Sequence, residues 1–236
     1  MDNINTLFQL ATNHYHAGRL ADAVIAFRHL LAQKPDLAQA HYNLALALEK
    51  LNKIDEAVVS YRHAIDHNPG FAEAHNNLGN IFHNQARLDD AKEAYTCALN
   101  INPKLTQAHF NLGLVLQKQN QFNQAVRHFQ AALAIAPDYA AAFDHLFALL
   151  RRLGRIEEWL ETFTQFERAT DKPDWFFLDG LSVCRYLGDF AREQKYLEHL
   201  YAHAFKDDEI ELLHGILAIV QYFDHELAPA PPHHVD

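Results

Sequence analysis

Asparagine recurs at Asn43, Asn77 and Asn111, one every 34 residues. A primary amide both donates and accepts a hydrogen bond. A row of them can therefore pair with a peptide backbone of any sequence, or with the helices beside them. Gln39, Tyr42, Asn76, Asn80, His83, Asn84, Gln107, Phe110 and Gln117 cluster around the same frame. This is binding chemistry. No nucleophile–base pair, phosphate-cradling glycine loop or pair of catalytic carboxylates stands out, so the expectation is a non-enzyme with no cofactor. Histidine numbers 17. His63/His67 and His199/His203 have the i, i+4 spacing that lets two imidazoles share a metal ion. No third ligand accompanies either pair, so no metal centre is expected. The run Arg151, Arg152, Arg155 fits a solvated helix end or an anion site.

The elements that carry these residues are repeats. Three copies of one unit begin at Ala38, Ala72 and Thr106 and close on Pro69, Pro103 and Pro137. Counting from each start, position 8 is Ala45, Gly79, Gly113 and position 20 is Ala57, Ala91, Ala125. Small residues there imply two helices in close approach, where a larger side chain would overpack. Position 7 is Leu44, Leu78, Leu112, and position 24 is Tyr61, Tyr95, Phe129. These supply apolar surface that one unit cannot bury without neighbours. The proline removes a backbone donor and ends the second helix. A 34-residue period with this pattern resembles the tetratricopeptide repeat, a helix–turn–helix unit.

The frame extends in both directions. Starting at Ile4, Leu10, Ala11, Ala23, Phe27 and Pro35 fall on pattern. Starting at Ala140, Phe147 and Trp159 occupy positions 8 and 20, where small residues belong. Starting at Asp174, Leu181 and Glu193 are off pattern. The frame gives about six helix–turn–helix repeats, the last two degenerate, and the resemblance implies that they form an all-α, right-handed superhelix. Twelve helices are expected at 5–16, 20–33, 39–50, 54–67, 73–84, 88–101, 107–118, 122–135, 141–153, 156–169, 174–186 and 190–204. A thirteenth at 207–224 would cap the array, so that 1–224 forms one solenoid and 225–236 a disordered tail. Leu212, Leu213, Ile216, Leu217 and Val220 give that last helix more apolar surface than a solvating cap needs, which points to another domain or a second copy.

Composition narrows the partners. A net charge of −10 argues against nucleic acid. No run approaches the ~18 apolar residues of a membrane span, and the start lacks the marks of a signal peptide. Two cysteines lie 87 residues apart, at Cys97 and Cys184, too far along an array to bridge. Free thiols suit a reducing cytoplasm.

In tandem arrays of the resembled family, positions 2, 5, 6, 9, 12 and 13 face an inner groove lined by first helices. The resemblance thus places the three asparagines, at position 6, in a ladder along that groove. Stretches such as Ala72-Glu73-Ala74-His75-Asn76-Asn77-Leu78-Gly79-Asn80 are similar to the repeat region of O-linked N-acetylglucosamine transferases and their SPINDLY-type relatives, where such a ladder grips extended protein substrates. The ladder breaks at Gln9, His145 and Asp179, and nothing resembles the family's catalytic domain. The lysine of the carboxylate clamp found in chaperone-binding members is absent: position 2 is Asn5, Gln39, Glu73, Gln107, Ala141 and Trp175. The resemblance therefore implies a scaffold for an extended protein or peptide segment. The rivals are a substrate-recruiting region for a transferase domain not in this chain, and a self-assembling module. His41, His75 and His109, sharing position 4, are expected to be packed imidazoles.

Overall fold

The computed structural model describes residues 2–167 and 174–207. Among them are twelve α-helices and no strand. They are α1 (Asp2–His16), α2 (Leu20–Gln33), α3 (Ala38–Lys50), α4 (Ile54–His67), α5 (Ala72–Asn84), α6 (Leu88–Ile101), α7 (Thr106–Lys118), α8 (Phe122–Ile135), α9 (Ala140–Arg152), α10 (Ile156–Glu167), α11 (Asp174–Leu187) and α12 (Phe190–Asp207). The expected cap helix, its residues Leu212, Leu213, Ile216, Leu217 and Val220, and the tail lie outside the described residues.

Each repeat's internal turn is the same backbone device. Gly18, Asn52, Ala86, Asn120, Gly154 and Gly188 all have φ between 58° and 73°. They stand 34 residues apart without exception. The residue after each donates its N–H to a carbonyl five back: Lys53 to Leu48, Arg87 to Phe82 and Gln121 to Leu116, at 2.8–2.9 Å. The left-handed residue itself bonds three back, as Asn52 does to Glu49. This pair of bonds satisfies the carbonyls left over at a helix end. The other turn, between repeats, is set by proline. Lys34, Asn68, Asn102 and Ala136, each just before one, take φ of −126° to −142° with ψ of 84° to 91°. The proline ring forbids helical ψ to the residue before it, so the second helix stops there.

The chain divides into two compact units, Met1–Leu149 and Leu150–Asp236. In the first, α1/α2, α3/α4, α5/α6 and α7/α8 pack as pairs, and α2, α4 and α6 each meet the next first helix. The first helices also touch: α1 meets α3 and α5 meets α7. The core is a seam of small residues against rings. Ala57, Tyr61, Ala91, Tyr95, Ala125 and Phe129 are all at most 1% exposed. A Cβ added to Gly79 would come within 2.7 Å of the Tyr95 ring, and one on Gly113 within 2.5 Å of Phe129. Position 8 is small because the position-24 ring of the same repeat lies on it. Phe147, the first bulky departure, is buried and stacks on Phe143 at 5.4 Å.

In the second unit, α11 and α12 pack as a pair. Phe163 stacks face to face on Phe176 at 4.6 Å, and Trp159 is buried with its ring perpendicular to that of Tyr186. The register of the last repeat differs from the 34-residue frame. Gly180, not position-8 Leu181, lies under a ring: its added Cβ would fall 2.5 Å from Tyr196. That glycine–ring spacing of 16 residues equals Gly79–Tyr95 and Gly113–Phe129. Helix α11 has 14 residues where α3, α5 and α7 have 13; its seam sits one residue earlier in the frame while the turn keeps its place. Glu193 is buried and paired with Arg185.

Candidate functional site, the first-helix face

The amides and tyrosines of α3, α5 and α7 form one connected network. The Asn77 amide nitrogen donates to the Tyr42 hydroxyl at 3.1 Å and to the Tyr61 hydroxyl at 3.4 Å. Tyr61 donates onward to Glu49 Oε2 at 2.9 Å. Asn77 Oδ1 accepts from Asn76 at 3.3 Å. Asn111 donates to Asn80 Oδ1 at 2.8 Å and to Asn76 Oδ1 at 3.5 Å. Asn80 Oδ1 also accepts from Tyr95 at 2.8 Å. Hydrogen bonds therefore run unbroken from Glu49 to Tyr95 through three repeats. Burial, then the adjacent Glu49, pushes the Tyr61 hydroxyl far above its usual range, and burial does the same to Tyr95. Both remain neutral donors.

Two of the three ladder asparagines thus spend their N–H groups on neighbouring helices, the second use open to them from sequence. Asn43 differs. Its Oδ1 accepts from the exposed Gln39 at 3.1 Å, and its own amide N–H groups bond to no other described residue. Tyr42 lies 4.6 Å from the Phe71 ring, and Phe110 packs against Phe129, Tyr139 and His145 at 5.1–5.8 Å. Gln107 and Asn84 are exposed, and Asn84 bonds to His83.

A cavity of about 330 Å³ opens on this face, lined by Tyr15, Leu46, Glu49, Lys50 and Asn77. Of these, sequence reasoning singles out Asn77 alone. The Lys50 amine sits 4.5 Å over the Tyr15 ring. One repeat pair further on, Lys118 Nζ lies 2.9 Å from His83 Nε2. Each contact joins position 13 of one repeat to position 12 of the repeat before, 35 residues apart. That shared frame position is the signal that could have found both lysines. His83 must be neutral to accept the bond. Burial, then Lys118, holds its imidazole below the ordinary range.

The position-4 histidines are packed, and each has a task. His41 and His109 reach the carbonyls of Pro35 and Pro103 at 2.8 and 3.1 Å, and His75 bonds that of Pro69. The ring ties the start of one repeat to the turn that precedes it. His63 and His67 pack on His41, with ring centroids at 5.1 and 5.5 Å. Among the described residues no group of three His, Cys, Asp or Glu could hold a metal ion. His109 Nδ1 faces His128 Nδ1 at 3.1 Å, and burial followed by His109 lowers His128 to about 4. Cys97 and Cys184 are free, and burial pushes the Cys184 thiol up to about 12.

Comparison with known proteins agrees with the helix pairs. Residues 38–71 and 70–138 match tetratricopeptide-repeat models, and residues 108–208 match the TT21 fifth ARM repeats domain. No curated protein matches the sequence. Among solved structures, Pseudomonas aeruginosa pilF is similar at a TM-score of 0.73 and 19% identity, over 92% of this chain and 97% of that one. PilW, a widely conserved type IV pilus biogenesis factor, gives 0.66 and 23% over 93% and 99%. YrrB, a TPR protein with an unusual peptide-binding site, gives 0.60 and 22% over 80% and 96%. At these identities the likeness is one of fold. The matches bring no support for the finer resemblance to O-linked N-acetylglucosamine transferases.

Proposed function

Because residues 38–138 are tetratricopeptide repeats, we propose that the chain is a non-enzymatic interaction scaffold that holds an extended protein or peptide segment on its first-helix face. One observation carries this reading. On that face a cavity of about 330 Å³ lies among an amide, a tyrosine, a carboxylate and an amine, and Asn43, on the same helix as its Leu46, Glu49 and Lys50, has unused N–H groups. Asn77 and Glu49 also serve the network between helices, whereas the Asn43 N–H groups and the Lys50 amine are left to meet a ligand. Free Cys97 and Cys184 suit a cytoplasmic setting.

The test is capture of a partner on the immobilised chain, followed by calorimetry with Asn43→Ala and Gln39→Ala. Each lost neutral hydrogen bond should weaken binding by ~0.5–1.5 kcal/mol, about two- to tenfold. The loss should be alike for ligands of different sequence, since the backbone is common to all. Full affinity in both folded variants would overturn the reading. A second copy docking through Leu212, Leu213, Ile216, Leu217 and Val220 is the other partner the sequence favours. Leu213→Glu with Leu217→Glu should then lower the mass seen by light scattering.

A further inference from the structure

The amines of Lys50 and Lys118 are held in a particular way. Both side chains are exposed, both stand in the last turn of a first helix, and both turn onto the preceding repeat. What receives them carries no charge: the Tyr15 ring for Lys50, and the Nε2 lone pair of neutral His83 for Lys118. Lys92 in α6 likewise meets a neutral group, Gln121, but Arg28 in α2 and the bases in the turns before α4 and α6 do not. Arg28 and Lys53 both meet Glu56, and Arg87 meets Asp90. Those charges are cancelled within the protein. The two first-helix amines are oriented by uncharged groups and meet no carboxylate among the described residues, in a chain with 30 acidic and 20 basic residues. Glu49, beside Lys50, is occupied by the Tyr61 hydroxyl. Glu73 lies in the first turn of α5, away from the last-turn edge that holds the lysines.

We propose that the segment held on the first-helix face is acidic, with two carboxylates about six residues apart that meet Lys50 and Lys118. This rests on the scaffold reading above and names the chemistry of its partner. The spacing follows from the fold. Lys50 is on α3 and Lys118 on α7, with α5 between them. Packed helices stand 8–10 Å apart, so the two amines are separated by roughly 16–20 Å. An extended chain rises ~3.3 Å per residue and covers that distance in about five or six residues. A last-turn lysine also favours the helix dipole. That role would show in stability and not in ligand choice.

The experiment uses the full chain and three synthetic twelve-residue peptides of Ser, Thr and Val, followed by fluorescence anisotropy. One has Glu at its third and ninth places, one has Gln at both, and one has Glu at its third and sixth. The first should bind about three- to tenfold more tightly than the other two, the scale of two partly exposed charge pairs. Lys50→Gln and Lys118→Gln should each remove about half of that advantage while the free chain stays folded. Lys104→Gln, an exposed base in the loop after Pro103, should leave it intact. Equal binding of all three peptides would overturn the proposal and leave the scaffold reading standing. Equal binding of the two Glu peptides would overturn the spacing and with it the paired lysines. Binding of none by a folded chain would overturn both readings.

Discussion

Replacing Gly113 with alanine tests the seam that holds each repeat closed. The added Cβ would stand 2.5 Å from the Phe129 ring, closer than carbon atoms approach, so the ring must move. The Phe129 ring is fully buried and packed by Phe110 and His145 at 5.8 and 5.7 Å, which leaves it little room. Overpacking of this kind costs ~1–3 kcal/mol. Against it, alanine gains ~1 kcal/mol over glycine in a helix interior. The net expectation for Gly113→Ala is a loss of about 0–2 kcal/mol. The decisive quantity is the coupling. In a Phe129→Leu background the clash is gone, and the same change should be neutral or stabilising by up to ~1 kcal/mol. Urea titrations of the four proteins give the interaction energy, expected at ~1–3 kcal/mol. An identical effect of Gly113→Ala in both backgrounds would show that the ring does not dictate the glycine. Small residues at position 8 would then need a cause other than the ring across the repeat.

Three further outcomes are expected. His128 is held neutral in the folded chain, lowered from 6.5 to about 4, so the unfolded chain takes up the proton first. Stability should be full above about pH 6.5 and fall between 6.5 and about 4, by ~1–2 kcal/mol after solvent screening; thermal melts across that range should flatten with His128→Gln. Burial lowers His41 and His75 in the same sense, so some slope should remain in that variant. Ala86→Gly relieves a left-handed alanine, φ 59°, worth ~1–2 kcal/mol, against ~0.4–1 kcal/mol of added unfolded-chain entropy, so melting should rise by the equivalent of ~0.5–1 kcal/mol. Tyr61→Phe deprives Glu49 and Asn77 of their shared partner and should cost ~1–3 kcal/mol in a chemical denaturation series, where a neutral result would discount the network.

The helix pairs were legible because their signals are local. Alanines at position 20 and the prolines mark close approach and termination without reference to the rest of the chain, and observed helix ends lie within three residues of expected ones. In the last repeat, Leu181 and Glu193 stood out as off pattern, but the shifted seam was hidden because the turn glycine stays in phase. Gly188 falls where a 34-residue step puts it, while the seam has moved to Gly180 and Tyr196. The asparagine row was visible, but its use was not. Whether an amide faces a ligand or a tyrosine depends on Tyr42 and Tyr61, which belong to the repeat before. Lys50 and Lys118 escaped notice since a last-turn lysine is common on any helix; only its rest on Tyr15 or His83 sets it apart.

The left-handed turns keep strict time while the core beneath them does not. Gly, Asn and Ala all serve at that place, so the chain reverses by backbone bonds and asks little of the side chain. Length and internal fit are thereby separate properties of this array. A repeat can drift by one residue in how its helices mesh and still turn the chain at the appointed place, as α11 and α12 do. The misfit in α11 and α12 leaves the six left-handed turns, from Gly18 to Gly188, in phase. Such a chain can carry a poorly matched repeat without disturbing the beat of the turns in the others.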